Sequence, residues 1–174
     1  KELGLELDTF IFFCSDNGHT GPGSSGVLRG KKGTLWEGGT RVPGIAYWPG
    51  KIQASSQSDE TILSMDVFPT IAQFSQTTIP QNLIMDGVDF SSVLLGEKQL
   101  DERTVFWRFR KFKVARKNQW KYLAEGKNEY LFDLETDFAE QVDVAEQYPE
   151  IIKELKAAFA KWEEDVTAGV EIIA

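Results

Sequence analysis

A short polar sequence, Ser15-Asp16-Asn17-Gly18-His19, contains the first residues able to perform chemistry. It directly follows the apolar, aromatic run at residues 9–14, which predicts a strand buried in a sheet covered on both faces. Ligands of α/β sheets bind at the carboxyl ends of the strands, and a carboxylate beside an amide oxygen suits Ca²⁺ or Mg²⁺. Because Asn-Gly and Asp-x-Gly are also common turn sequences, the pair by itself favours a simple turn.

Residues 18–44 shift this balance towards a functional loop, because they contain nine glycines and two prolines. An irregular loop of this length in a compact domain is typically functional or disordered. Glycines let the backbone approach a ligand closely, and Lys31 or Lys32 between them can bind an oxyanion. The P-loop spacing GxxxxGK[ST] is absent, and both lysines can equally be solvated loop charges.

Two elements are predicted between this loop and residue 100. Residues 44–48 predict a second strand, and residues 64–75 predict an amphipathic helix capped by Asp66 or Ser64. Its apolar side would hold Val67, Phe68, Ile71 and Phe74.

The C-terminal part predicts a sheet and a helix. Segments 104–109, 112–116, 121–125 and 129–133 are short and aromatic or β-branched, which indicates an antiparallel meander of about four strands. Residues 149–166 predict the clearest helix, opened by Pro149 and closed by Gly169. Eight basic residues and no acidic one lie from Arg103 to Lys121. Their alternation with aromatic residues predicts charges on one solvated sheet face and aromatic side chains packed under the helix, rather than a nucleic-acid surface.

The overall composition excludes several classes of protein. The chain has 174 residues, 41% hydrophobic and 26% charged, and its net charge of −8 argues against general nucleic-acid binding. Its longest apolar run is far shorter than the ~18–20 residues of a membrane span. Cys14 is the single cysteine, and its place in the run at residues 9–14 predicts a small buried hydrophobe. We therefore expect a soluble protein that is part of a longer one.

Taken together, the motifs resemble the C-terminal half of a type I, formylglycine-dependent sulfatase of the alkaline-phosphatase-like superfamily. The matching residues run in order along nearly the whole chain: Asp16-Asn17-Gly18, Leu28-Arg29, Lys32-Gly33-Thr34, Trp36-Glu37-Gly38-Gly39, Arg41-Val42-Pro43, Trp48-Pro49-Gly50, Asp66-Val67-Phe68-Pro69-Thr70, Asp86-Gly87-Val88-Asp89, Ala115-Arg116, Trp120-Lys121, Leu131-Phe132-Asp133-Leu134 and Tyr148-Pro149. Within that family, the chain resembles the arylsulfatase A and N-acetylgalactosamine-6-sulfatase subgroup.

The resemblance implies an α+β fragment of an α/β sulfatase fold. Residues 1–100 would be the C-terminal part of the catalytic α/β domain, including the metal-ligand strand end and the glycine-rich loop. Residues 101–174 would form a subdomain in which a four-stranded antiparallel sheet packs with a C-terminal amphipathic helix.

The resemblance also implies roles for particular residues. Asp16 and Asn17 would ligate Ca²⁺, or alternatively Mg²⁺, and Lys32 would bind the substrate sulfate electrostatically. Lys31 lies next to it, so the alternative is that Lys31 binds the sulfate. His19 would contact the substrate, and the alternative is an exposed loop histidine without a role.

Glu37 and Arg41 are predicted to pair and hold the loop.

The family's nucleophile is a formylglycine made from Cys or Ser in Cys/Ser-x-Pro-x-Arg, a motif this chain lacks; Cys14 has no Pro or Arg in register. The formylglycine would therefore lie in an N-terminal region outside this chain, which we expect to be inactive by itself.

The expected substrates of the whole enzyme are sulfated carbohydrates or small sulfate esters, with neither nucleic acid nor membrane as a partner. Its expected location is periplasmic, secreted or lysosomal. An exposed edge of the strand at residues 9–14 would favour self-association. Two other functions stay open from the sequence: a phosphoester or phosphonate hydrolase of the same superfamily, and a non-catalytic module that binds sulfated glycans.

Overall fold

The computed structural model describes residues 2–169, which pack as two compact units. Unit 1 contains the residues up to 16 together with residues 43–101, and unit 2 contains residues 17–42 together with the residues from 102 onwards. The glycine-rich loop thus packs with the C-terminal sheet. The division at residue 100 into parts of two sulfatase domains stays a prediction.

The elements follow one another in a simple order. In chain order they are β1 (Ile11–Cys14), α1 (Glu37–Thr40), β2 (Gly44–Tyr47), α2 (Val67–Phe74), α3 (Ser91–Leu94), β3 (Thr104–Phe109), β4 (Phe112–Lys117), β5 (Trp120–Glu125), β6 (Asn128–Asp133) and α4 (Pro149–Thr167), with 3₁₀ turns at Glu6–Asp8 and Ser64–Asp66. None of the described helices is long and apolar enough to cross a membrane.

In unit 1, β1 pairs antiparallel with β2 and with no other strand among residues 2–169. The ring of Phe12 packs against Phe90 at 5.8 Å between centroids, which covers one face of β1. On the other face, Ile11 and Phe13 are 51% and 60% exposed. The prediction of a strand buried on both faces is therefore wrong, and so is that of a buried Cys14, which is exposed.

The predicted helix at residues 64–75 is confirmed as a 3₁₀ turn followed by α2. Its predicted buried face is only partly right: Phe74 packs against Phe10 at 4.9 Å, but Phe68 and Ile71 are 57% and 48% exposed. Pro69, Thr70 and Ala72 are buried instead.

The carboxylate of Asp66 does not cap α2. It is fully buried and accepts hydrogen bonds from the backbone N–H of Leu63 at 2.7 Å and of Val88 at 2.9 Å. Asp66 therefore holds the 3₁₀ turn against the segment around Val88, which is 22 positions later in the chain.

Replacing Asp66 by alanine would leave two backbone donors without their acceptor. Because each unsatisfied buried donor costs about 1–3 kcal/mol, we expect the free energy of unfolding of unit 1 to fall by roughly 2 kcal/mol. Hydrogen exchange of the Leu63 and Val88 amides in the intact chain measures this loss. The exposed Asp86 provides the matched control, since Asp86→Ala should change the stability by less than about 0.5 kcal/mol. Equal effects of the two substitutions would contradict this role of Asp66.

Unit 2 contains the predicted meander, an antiparallel sheet of order β3-β4-β5-β6. One sheet face carries Phe112, Val114, Leu123 and Phe132, which pack against Leu35 and Trp36 of the loop. The opposite face carries Ala115, Tyr122 and Leu131, which pack against Leu155 and Phe159 of α4. The four-stranded sheet with its C-terminal helix is thus confirmed.

The prediction that the basic residues line one solvated sheet face is wrong, because both faces are covered. Lys113 lies on the helix side, where its Nζ is 2.8 Å from Glu163 Oε2 of α4. Lys121 lies on the loop side and is 1% exposed. The basic residues of this stretch therefore include charges that join the sheet to the elements covering it.

Candidate active-site loop

Residues 17–42 form an ordered loop in which backbone segments touch at glycines. The N–H of Gly18 donates to Gly39 O at 3.0 Å, and the N–H of Gly38 donates to Arg29 O at 2.6 Å. A Cβ atom on Gly18 would overlap the carbonyl oxygen of Gly38, and one on Gly38 would lie 2.6 Å from Arg29 O. The close approach that we expected towards a ligand is used here between parts of the loop itself.

The loop brings His19 and Lys32, the two residues of the predicted substrate site, next to each other. The backbone N–H of Lys32 donates to His19 O at 3.1 Å. The Lys32 side chain is exposed, and within residues 2–169 no carboxylate pairs with its Nζ. The half-buried imidazole of His19 has Nδ1 2.7 Å from Ser25 Oγ. One charged group is thus available to an anion, and one polar ring is held by the loop.

The predicted metal ligands stand at the start of this loop. Asp16 is exposed and follows β1 after one residue, and Asn17 is half-buried. Their oxygen atoms suit Ca²⁺ in type, but this ion takes about six to eight oxygen ligands. Residues 2–169 contain no group of three or more His, Cys, Asp or Glu side chains arranged to hold a metal. Asp16 and Asn17 therefore fit Ca²⁺ in the chemistry of their donor atoms and are too few to hold the ion by themselves.

A buried ion cluster, which the sequence analysis missed, lies between the loop and the sheet. Lys121 Nζ is 2.7 Å from Glu37 Oε1 and 2.7 Å from Glu140 Oε1, and the three side chains are at most 3% exposed. Glu140 Oε2 also accepts a hydrogen bond from the backbone N–H of Glu37 at 2.6 Å. The start of α1 is therefore held to β5 by charge.

Three arginines surround this cluster. Arg41 Nε is 2.7 Å from Glu37 Oε2, which confirms the predicted pair. Arg116 lies farther away, with its guanidinium 3.9 Å from Glu37 Oε2. Arg29 donates to Glu140 O at 3.1 Å, and its guanidinium stacks over the Trp36 ring at 3.6 Å. Residues from the middle and from the C-terminal end of the loop are thereby fixed on the same sheet face.

The pKa values of the two acids of the cluster are shifted in opposite directions. Burial raises the pKa of Glu37, but Lys121 and Arg41 outweigh burial and hold that pKa below its ordinary value. Burial raises the pKa of Glu140 above its ordinary value, and Lys121 offsets only part of this rise. Glu37 is therefore the carboxylate whose charge stabilises the folded state.

The lowered pKa of Glu37 predicts a pH dependence. Its contribution is fully present above the unfolded-state pKa of about 4.3 and is lost as the pH falls through the lower folded-state pKa. We therefore expect Glu37→Gln to cost less unfolding free energy at about pH 3 than at about pH 7. Urea unfolding at both pH values measures the difference, with the exposed Glu146→Gln as a control that should show none. A cost for Glu37→Gln that is independent of pH would contradict the assignment.

Comparisons of the sequence find sulfatases. The family model named Sulfatase matches residues 1–76. Human steryl-sulfatase is 38% identical over 118 residues, which covers 62% of this chain and 20% of the human protein. Human arylsulfatase G is 30% identical over 203 residues, which covers 93% of this chain and 39% of that protein. The chain thus spans about a fifth to two fifths of the length of these curated relatives.

Solved structures give the same result. Ps i-CgsB, crystallised in complex with k-i-k-neocarrahexaose, matches with a TM-score of 0.84 and 26% identity over 92% of this chain and 38% of that chain. The PsFucS1 sulfatase from Pseudoalteromonas sp. matches with a TM-score of 0.71 and 26% identity over 96% of this chain and 39% of that chain. The expected α+β part of a sulfatase fold is thereby confirmed. In both sequence and fold, the chain is thus similar to a part of known sulfatases, and its residues 1–76 match the sulfatase family model.

Proposed function

We propose that this chain is part of an enzyme that hydrolyses the sulfate esters of sulfated sugars. The observation that carries the proposal is the loop geometry: the backbone N–H of Lys32 donates to the carbonyl oxygen of His19. His19 in turn follows the oxygen donors Asp16 and Asn17 by three and two residues. The match of residues 1–76 to the sulfatase family model supports sulfate as the anion. The oligosaccharide bound to Ps i-CgsB, and the place of a second similar protein in the glycosaminoglycan metabolism of Bacteroides thetaiotaomicron, support a sugar as the alcohol.

In this proposal, Lys32 binds the sulfate group. Negative charge grows on the ester oxygens as the bond to the leaving group breaks, and a fixed ammonium group stabilises that charge. Asp16 and Asn17 would contribute to a Ca²⁺ site, or alternatively a Mg²⁺ site, and the ion would supply a second positive charge. Other ligands of the ion and the formylglycine nucleophile would come from residues outside this chain, which would be inactive by itself.

The loop is built to hold Lys32 in place before substrate binds. Its backbone is closed by the contacts at Gly18 and Gly38 and is anchored through Glu37 to Lys121 of the sheet. Because the backbone of Lys32 is already positioned, placing its ammonium group at the sulfate requires little reorganisation, which is the condition for strong electrostatic stabilisation. We place the whole enzyme in the periplasm, the lysosome or the extracellular space.

A matched pair of esters tests this function. The protein as produced by its own cells would be assayed for release of sulfate from 4-nitrophenyl sulfate and a sulfated carrageenan oligosaccharide, and of phosphate from 4-nitrophenyl phosphate. We expect release of sulfate that is lost on chelation and restored by Ca²⁺. Release of phosphate alone would assign the protein to phosphoester hydrolysis, and binding of the oligosaccharide without any release would make it a glycan-binding module.

A further inference from the structure

Ser25 links His19 to the backbone of the loop. His19 Nδ1 is 2.7 Å from Ser25 Oγ, and Ser25 Oγ donates to Gly38 O at 2.9 Å. A serine hydroxyl carries a single proton, and a carbonyl oxygen can only accept. Because the proton of Ser25 is directed to Gly38, Ser25 must accept its second hydrogen bond from an N–H at Nδ1 of His19.

This requirement fixes the tautomer of His19. A neutral imidazole carries one N–H, so a proton on Nδ1 leaves Nε2 with a lone pair. Within residues 2–169, Nε2 makes no hydrogen bond. Such a nitrogen accepts a hydrogen bond from a hydroxyl or amide N–H, whereas its lone pair repels the oxygen atoms of a sulfate group.

The surroundings hold the ring in this position. A Cβ atom on Gly23 would lie 2.9 Å from His19 Cβ, so the glycine provides the space that the side chain occupies. The carbonyl oxygen of Gly38 accepts the hydrogen bond from Ser25, and the N–H of Gly38 donates to Arg29 O at 2.6 Å. Gly38 also directly follows Glu37 of the buried ion cluster. The carbonyl oxygen to which Ser25 donates is therefore held in place.

We propose that His19 determines substrate specificity by accepting, at Nε2, a hydrogen bond from a hydroxyl group of the sugar whose sulfate Lys32 binds. Ser25 is the positioning residue that fixes the required tautomer. The substrate class is then sulfate esters that carry a neighbouring hydroxyl, in preference to aryl sulfates that lack one. The substrate role rests on the proposed function, whereas the tautomer is a property of this chain alone.

The tautomer is tested by ¹⁵N NMR of the imidazole at about pH 8.5, where an ordinary histidine is neutral. His19 is the only histidine of the 174 residues, so in a sample of this chain both ring nitrogen signals are assigned without ambiguity. We expect a protonated Nδ1 and an unprotonated Nε2, and a shift towards protonated Nε2 in Ser25→Ala. Ser24→Ala is the matched control, because within residues 2–169 Ser24 Oγ accepts from the N–H of Gly26 and has no bond to His19. An Nε2 that carries the proton in the unsubstituted chain would overturn the proposal that Ser25 fixes the tautomer of His19.

The substrate role is tested by kcat/KM of the native protein on a hydroxyl-bearing sugar sulfate and on 4-nitrophenyl sulfate. Loss of one hydrogen bond corresponds to about tenfold, so His19→Phe and Ser25→Ala should lower kcat/KM about tenfold for the sugar only. His19→Gln, which offers an acceptor near the position of Nε2, should restore part of the loss. Equal losses on both esters would overturn the specificity role. Absence of sulfate release from every ester would remove the substrate role together with the proposed function, and the NMR result would still decide the tautomer.

Discussion

Replacing Lys121 by methionine should lower the free energy of unfolding of unit 2 by about 3–5 kcal/mol, the usual cost of removing one partner from a buried ion pair. Methionine has a similar length and lacks the charge, so Glu37 would keep only its arginine partners, whereas the buried Glu140 would lose the cation that it contacts. Lys121 Nζ is 2.7 Å from an oxygen of each acid, and no solvent replaces it because the side chain is 2% exposed. Four of the five tryptophans lie in unit 2, so tryptophan fluorescence in urea follows this unfolding.

Lys117→Met is the matched control for this experiment. Lys117 lies on the neighbouring strand β4 and also contacts two acids, with its Nζ 3.2 Å from Glu102 Oε1 and 3.0 Å from Glu154 Oε1. Because Glu102 and Glu154 are exposed and Lys117 is only half-buried, the substitution should cost no more than about 1 kcal/mol. Adding Glu140→Gln to Lys121→Met should recover part of the stability, since it removes the acid that Lys121→Met leaves without its cation. Similar losses for Lys121→Met and Lys117→Met would contradict the buried cluster as an anchor.

Gly38→Ala should be the second most damaging change. The new Cβ would lie 2.5 Å from Gly30 O, 2.6 Å from Arg29 O and 2.9 Å from Leu28 O, and backbone atoms cannot move aside as a flexible side chain can. We expect a loss of about 3 kcal/mol, at the upper end of the cost of overpacking. Hydrogen exchange should quicken at the amides of Gly18 and Lys32, which depend on the same loop closure.

Gly44→Ala controls for the general effect of a glycine substitution. A Cβ atom there would meet only the Phe12 ring at 3.9 Å, which is ordinary van der Waals contact. Its cost should be less than about 1 kcal/mol, and the loop amides should exchange at their usual rates. An unchanged exchange rate at Gly18 in Gly38→Ala would contradict the interlocked loop.

The sheet and the final helix could be predicted because their signals are local. Four strand segments separated by turn residues require a meander, and α4 repeats its apolar residues every three to four positions. The burial of each face could not be predicted in the same way, because it depends on what covers it. Phe13 and Cys14 look like core residues in the sequence, yet the two-stranded sheet of β1 and β2 leaves them exposed.

The ion cluster of Glu37, Lys121 and Glu140 could not be predicted either, because it also depends on contacts between distant parts of the chain. Lys121 and Glu37 are 84 positions apart, and Glu37 and Glu140 are 103 apart, so no local spacing reports their contact. One signal was present: strand alternation places Lys121 on the same sheet face as the apolar Leu123. By contrast, the pair of Glu37 and Arg41 was predictable, because residues four apart on a helical turn face each other.

The most direct test of the account compares Lys32→Ala with Lys31→Ala in the native protein. Both side chains are exposed and adjacent, so the two substitutions should affect folding equally. Only Lys32 shares a backbone hydrogen bond with His19, and we assign to it the binding of sulfate. We predict a loss of about 10²–10³-fold in kcat/KM for sulfate-ester hydrolysis in Lys32→Ala, the usual effect of removing one group that stabilises developing charge, and a change of less than about threefold in Lys31→Ala. Equal activity of the two variants, or a larger loss in Lys31→Ala, would contradict the account.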